Sequence, residues 1–204
     1  MASKSLESNK VVFLNPGTPD YSGWLKNVRP DLRGLSETDM RSKLDPGLRN
    51  FYVVMEHLTG DFNISTLIRN ANAFGARGVF YLGKKQWDRR GAQGVHHYTP
   101  VKWLSQLNEL KDIITLHSGR VVAVENNLES PKFKSLDNYV WSTDPVFMIL
   151  GEEGRGLSEE LLQVADDIVG IPQVGSVPSL NVGCASSIVM WDYVRQVYGS
   201  RKVA

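Results

Sequence analysis

From Phe51 to Tyr198 the chain alternates short runs of strand-forming apolar residues with stretches of helical period. That alternation constrains the fold more than any other feature. Val146–Leu150 (VFMIL) is apolar throughout, the pattern of a strand buried on both faces, and such strands belong to parallel sheets covered by helices. FYVVMEHL (51–58), Val79–Leu82, Arg120–Glu125 and Asp167–Ile171 read as further strands. Between them Ile64, Leu67, Ile68, Ala71 and Phe74 fall at i, i+3, i+4, i+7 and i+10, one face of a helix. Asp61 or Asn63 is positioned to cap that helix and Gly75 to end it. Leu104–Leu116 reads as an amphipathic helix. Ser158–Ala165 reads as a short one, capped by Ser158 with Glu159 and Glu160 favourable in its first turn. Asn181–Tyr198 makes a last helix of about five turns. The expectation is an α/β protein, a parallel sheet flanked by helices.

Residues 1–50 differ. They carry Pro16, Pro19, Pro30 and Pro46 and only short apolar runs such as Val11–Leu14. They read as an N-terminal extension with one helix around Ser36–Leu44, capped by Ser36; residues 51–204 form the main domain. No internal repeat or low-complexity tract interrupts it. Hydrophobic residues at 42% and charged residues at 22% suffice for a buried core. The single cysteine excludes a disulfide framework and a Cys-based zinc site. No apolar run approaches the ~18 residues of a membrane span. MASKSLESNK has neither an apolar signal region nor Arg-rich transit character. The expectation is a cytoplasmic protein away from membranes, with nucleus or organelle as the other compartments.

Net charge is +1, but its distribution is uneven. Arg77, Lys84, Lys85, Arg89, Arg90 and Lys102 face the single acid Asp88 across one stretch, and a local basic stretch can meet phosphate whatever the total charge. Its bland reading is a solvated surface. Several motifs fail on physical grounds. Gly78–Lys85 approximates a phosphate loop, yet a buried-strand run fills it and Lys85 replaces the hydroxyl that binds magnesium. Gly151, Gly154 and Gly156 have the order G-x-x-G-x-G near the chain's end, unlike the dinucleotide fingerprint. Adjacent His96 and His97 cannot both face one metal from a strand, so no metal is expected. Cys184 reads as a packed thiol.

Three segments carry polar residues where packing alone would favour apolar ones: Glu56–Gly75, Ile149–Gly156 and Ile171–Ala185. The last two leave consecutive strands, so both can open at the carboxyl edge of the sheet, where ligands bind in open α/β folds. The last enters its helix at Ser179 or Asn181. Here the chain resembles the SpoU (TrmH) family of RNA ribose methyltransferases, a branch of the SPOUT superfamily. The first family motif appears as Asn63, Arg69, Phe74 and Gly75. The second appears as Leu150, Gly151, Glu153, Gly154, Gly156 and Leu157. The third appears as Ile171, Pro172, Gly175, Ser179, Leu180, Asn181 and Val182. The likeness covers Phe51 to Gln196, about three quarters of the chain, with the motifs in order. Glu152, Gln173 and Gly183 depart from the commonest pattern, which points to a slightly altered cofactor pocket.

The resemblance implies a C-terminal deep trefoil knot (the SPOUT α/β knot), S-adenosylmethionine as cofactor, and tRNA or rRNA as substrate. It implies Leu150, Gly151, Ile171, Leu180, Asn181 and Ala185 around the cofactor, and Arg69, Asn63, Glu153, Ser179 and Asn181 in catalysis. It also implies a homodimer whose last helix helps complete the active site. Trp191, Tyr193 and Val194 are candidates for that interface, against packing within the same chain. Arg77, Lys84, Lys85, Arg89 and Arg90 become candidate RNA contacts flanking the cleft, with substrate selection resting on such surfaces or on an accessory protein. The implied reaction moves a methyl group to a ribose 2′-hydroxyl. Arg69 is either its base or, since a guanidinium stays protonated in proteins, a stabiliser of the developing alkoxide. Ser179 and Asn181 also read as simple helix caps. A SPOUT methyltransferase acting on a base nitrogen and a non-catalytic RNA-binding relative are the competing readings.

Overall fold

The computed structural model describes residues 28–56, 60–126, 128–152 and 154–199. Seven strands, β1 (Arg49–Glu56), β2 (Ala76–Leu82), β3 (Val101–Leu104), β4 (Arg120–Val124), β5 (Phe133–Ser135), β6 (Val146–Leu150) and β7 (Asp167–Gly170), form one sheet in the order β3-β2-β1-β6-β4-β7-β5. Every pairing is parallel. Five helices accompany it among the described residues: α1 (Glu37–Leu44), α2 (Asp61–Phe74), α3 (Leu107–Leu116), α4 (Glu159–Val164) and α5 (Val182–Tyr198).

The apolar strands bury both faces. Phe51, Val53 and Met55 of β1, with Val146, Met148 and Leu150 of β6, pack with Leu67 and Ile68 of α2 and Met190 and Tyr193 of α5. The alternate residues Tyr52, Val54, Phe147 and Ile149 pack on the other face with Leu110 of α3 and Leu161 of α4. Each such Leu, Ile or Phe contributes about 1.5–3 kcal/mol on burial. The late strands go inside: β6 lies between β1 and β4, and β7 between β4 and β5. The expected parallel sheet flanked by helices is what the chain forms.

Both sheet edges depart from expectation. The helix read from Leu104 starts at Leu107, and Val101–Leu104 is edge strand β3. The other edge strand, β5, has only three residues. Ser36 caps α1 by accepting from Asp39 N at 3.1 Å, and Ser158 caps α4 by accepting from Leu161 N at 3.3 Å. Gly75 ends α2 at φ +76°. The cap of α2 is Gly60, without a side-chain hydrogen bond, rather than Asp61 or Asn63.

The amino ends of the strands are tied down by buried charge. Asp167 accepts from Arg120 Nη2 at 2.7 Å, Lys134 Nζ at 2.7 Å and Tyr139 Oη at 2.8 Å. Burial alone would raise the Asp167 carboxyl, but these donors outweigh it and hold its pKa at about 2. Nearby, Asp192 of α5 accepts from Trp141 Nε1 at 2.9 Å, and Tyr193 Oη donates to Asn50 O at 3.1 Å.

Candidate active site

Strand β6 runs into Gly151, where a Cβ would stand 2.5 Å from the carbonyl carbon of Gly156. Only glycine lets the two backbones approach, and Gly156 N donates to Glu152 O at 2.8 Å to close the turn. Gly156 has φ +67°, and a Cβ there would strike Glu125 Oε2. The glycines at 151 and 156 are therefore steric requirements, whereas a Cβ at Gly154 would meet nothing within 4 Å. The chain then enters α4, with Ser158 N donating to Glu56 Oε2 at 2.7 Å.

This turn forms one wall of a cavity of about 290 Å³ at the carboxyl ends of β4, β6 and β7. Leu150, Gly151, Ile171, Ser179, Leu180 and Ala185 line it. Glu152, Arg155 and Gln173 join them from the two loops. Two further polar lining residues, Glu125 and Asn126, lie just beyond β4. No short motif marks them; their one sequence signal is their place after an apolar strand. Apart from the Asn126 N–H that Glu125 holds, their partners are backbone groups of loops distant in sequence.

Asn181 is not a wall of the cavity but stands beside it with two tasks. Its Oδ1 caps α5 by accepting from Gly183 N at 2.9 Å and Cys184 N at 3.3 Å. Its Nδ2 donates to Asn63 Oδ1 at 3.0 Å, so the first and third motifs meet here. Further along, Asn70 Nδ2 donates to Gly183 O at 2.8 Å and Ser186 Oγ at 2.9 Å. A Cβ at Gly183 would come within 2.8 Å of Thr66 Cγ2. Gly183 therefore serves the close crossing of α2 and α5 and lies outside the cavity wall. Arg69 lies on the exposed face of α2, outside that wall, and makes no hydrogen bond or ion pair among the described residues.

The basic stretch divides. Lys84 and Lys85 follow β2 at the carboxyl edge, exposed, with Lys85 Nζ 4.7 Å from the Trp103 ring centre. Arg89 and Arg90 lie in a 3-10 turn held to α2 by Ser65 Oγ, which donates to Asp88 O at 3.0 Å. Arg90 pairs with Asp88. Arg77, however, is the second residue of β2, and with Lys102 it lines a separate groove toward the amino edge. One continuous flank beside the cleft is thus corrected to two surfaces.

Other expectations also change. Cys184 is exposed rather than packed, because Val182, Gly183 and Ser186 occupy the buried side of α5. Tyr193 is fully buried in its own chain and Val194 packs against the same core, whereas Trp191 is 54% exposed. His96 and His97 lie on a 3-10 turn rather than a strand, with ring centres 4.3 Å apart. Burial, then His97 and Arg89, lower the His96 pKa. Among the described residues no three His, Cys, Asp or Glu side chains group as metal ligands, and no helix is long and apolar enough to cross a membrane. Glu153 and residues 1–27 of the extension lie outside the described residues.

Known proteins match this architecture. The model of the SpoU rRNA Methylase family matches residues 50–191. The chain is 26% identical over 163 residues to a tRNA (guanosine(18)-2′-O)-methyltransferase of Aquifex aeolicus, covering 77% of this chain and 74% of that protein. It is 27% identical over 203 residues to the 23S rRNA (guanosine-2′-O-)-methyltransferase RlmB of Haemophilus influenzae, covering 93% and 80%. Among solved structures it is similar to the SpoU methyltransferase AviRb of Streptomyces viridochromogenes in complex with AdoMet, at TM-score 0.67 and 25% identity. That match covers 75% of this chain and 60% of AviRb. The family match runs from β1 through most of α5 and takes in every loop that walls the cavity: this chain belongs to the SpoU rRNA methylase family.

Proposed function

We propose that this protein methylates the ribose 2′-hydroxyl of a nucleotide in tRNA or rRNA, with S-adenosylmethionine as donor. The observation that carries this reading is the cavity at the carboxyl ends of β4, β6 and β7, where glycine-shaped backbone meets the apolar side chains Leu150, Ile171 and Leu180. Its size lies near the lower bound of about 300 Å³ typical of small-molecule sites. Backbone edges suit a flat purine, apolar walls suit its faces, and the Glu152 carboxylate suits a positively charged ligand. The residues present fit the cofactor.

When bound, S-adenosylmethionine supplies an electrophilic methyl group on sulfur. Leu150, Gly151, Ile171, Leu180 and Ala185 would hold it, largely through backbone and apolar contact. The Asn63–Asn181 pair would orient the ribose, and Ser179 would meet the neighbouring phosphate. Arg69 would stabilise negative charge developing on the 2′-oxygen and grip phosphate, while the hydroxyl proton passes to water rather than to a guanidinium, which is no base in proteins. Lys84, Lys85, Arg89 and Arg90 would draw RNA toward the cleft, with Arg77 a more distant contact.

Two structural inferences accompany this reading. The C-terminal segment threads a deep trefoil knot, an inference supported by the late insertion of β6 and β7 inside the sheet. The protein acts as a homodimer: Ile188 and Trp191 remain exposed on α5 and Phe62 on α2, while Arg69 lies exposed on α2 outside its own cavity wall. Mixing an Arg69→Ala chain with a Leu180→Asp chain should restore activity if sites are shared. Full activity of a monomer at every concentration would overturn sharing.

Methyl transfer from labelled S-adenosylmethionine to total RNA tests the chemistry. Modified RNA should resist alkaline cleavage at one position, because a 2′-O-methyl group removes the attacking nucleophile. A label retained on the free base after glycosidic cleavage would refute the ribose assignment.

A further inference from the structure

Strand β4 lies between β6 and β7, so its carboxyl tip stands between the two loops that wall the cavity. The backbone ladder continues one step past the strand, with Glu125 N donating to Val169 O at 3.1 Å. At that point Glu125 turns to one loop and Asn126 to the other. Glu125 Oε2 accepts from Leu157 N at 3.3 Å, and its Oε1 accepts from Asn126 N at 3.0 Å. Asn126 Oδ1 accepts from Ile171 N at 2.7 Å, and its Nδ2 donates to Ile171 O at 2.8 Å. Leu157 ends the glycine turn, and Ile171 opens the loop leading to Ser179 and Leu180.

The geometry points to Glu125 and Asn126 as a positioning pair that fixes the two cofactor loops relative to each other. Both carboxylate oxygens of Glu125 already hold backbone N–H groups, and both ends of the Asn126 amide hold Ile171. Glu125 thus works as an acceptor with a defined reach, and its charge is incidental to the role. Gly156 fits this account: its missing side chain leaves the space Glu125 Oε2 occupies. Separating the loops would spread Gly151 from Leu180 and loosen the cavity without touching Arg69 or the Asn63–Asn181 pair.

The cofactor arm of the test rests on the proposed function; the exchange arm does not. Amide hydrogen exchange on the ligand-free protein should show Leu157 at least tenfold faster in Glu125→Ala and Ile171 at least tenfold faster in Asn126→Ala. Amides in α3 should remain unchanged. Asn126→Asp keeps the acceptor for Ile171 N and loses only the donor to Ile171 O, so its exchange at Ile171 should fall between wild type and Asn126→Ala. Glu125→Gln keeps one acceptor and should recover most of the protection at Leu157. In the second arm, the KM for S-adenosylmethionine should rise about tenfold in Glu125→Ala and Asn126→Ala, with kcat at saturating cofactor retained and Glu125→Gln recovering most of the loss. Unchanged exchange at Leu157 and Ile171 would overturn the pair, as would Glu125→Gln failing as badly as Glu125→Ala. A wild-type protein that binds no S-adenosylmethionine would instead sink the cofactor reading, leaving the exchange arm to decide positioning.

Discussion

At the amino ends of β4, β5 and β7, Asp167 gathers Arg120, Lys134 and Tyr139 into a cluster whose partners are all side chains. At the carboxyl ends of β1, β4, β6 and β7, Glu56, Glu125 and Asn126 hold backbone N–H and C=O groups, and a cavity lies open beside them. The first arrangement satisfies charge with charge and leaves nothing for a ligand. The second uses side chains to shape a backbone surface that a ligand can meet. Substitutions at the amino edge should therefore act on stability and those at the carboxyl edge on binding.

The largest effect should come from Asp167→Ala. Removing one partner of a buried ion pair costs about 3–5 kcal/mol, and the lower end applies because Arg120 and Lys134 are about half exposed and can reach water. Urea unfolding should show the loss, while the folded fraction keeps its cofactor affinity. A weaker affinity at unchanged stability would break the contrast between edges. Next comes Gly151→Ala, whose Cβ must push apart two backbones. It should weaken cofactor binding about 100-fold, near 2.8 kcal/mol, in a titration where the unfolding midpoint moves far less.

Acid sharpens the comparison further. The Asp167 carboxyl is lowered from 3.8 to about 2, so its stabilisation is complete above pH ~4 and disappears as pH falls toward about 2. The loss should reach roughly 2 kcal/mol, and the same pH series on Asp167→Asn should lack that component. Identical acid profiles would remove Asp167 from the account. The smallest effect should be Ser158→Ala, which deletes the cap of α4 and should cost about 1 kcal/mol in the same unfolding assay.

What the sequence reveals follows from where each residue finds its partners. The central strand β6 is legible because burial on both faces leaves an unbroken apolar run. Edge strands lose that mark: Lys102 and Lys134 face solvent, and Leu104 merges into the period of the helix after it. Ser36, Ser158 and Asn181 are legible as caps because capping is local. Asn63 looked like one, yet its carbonyl oxygen is taken up by Asn181, 118 residues away. The same distance in sequence hides Glu125 and Asn126, whose partners lie 32 and 45 residues on. Glycines at 151 and 156 stand out by motif, but only the structure separates them from Gly154, which has open space beside it.

The central claim is that the carboxyl edge, and not the amino edge, forms the cofactor site. Calorimetric titration with S-adenosylmethionine of the wild type, Leu180→Asp and Arg120→Ala tests it most directly. Wild type and Arg120→Ala should both bind in the micromolar range, about −8 kcal/mol. Leu180→Asp should show no binding, because it places an uncompensated charge in the apolar wall. Equal affinity in Leu180→Asp and wild type, or a loss confined to Arg120→Ala, would contradict the account.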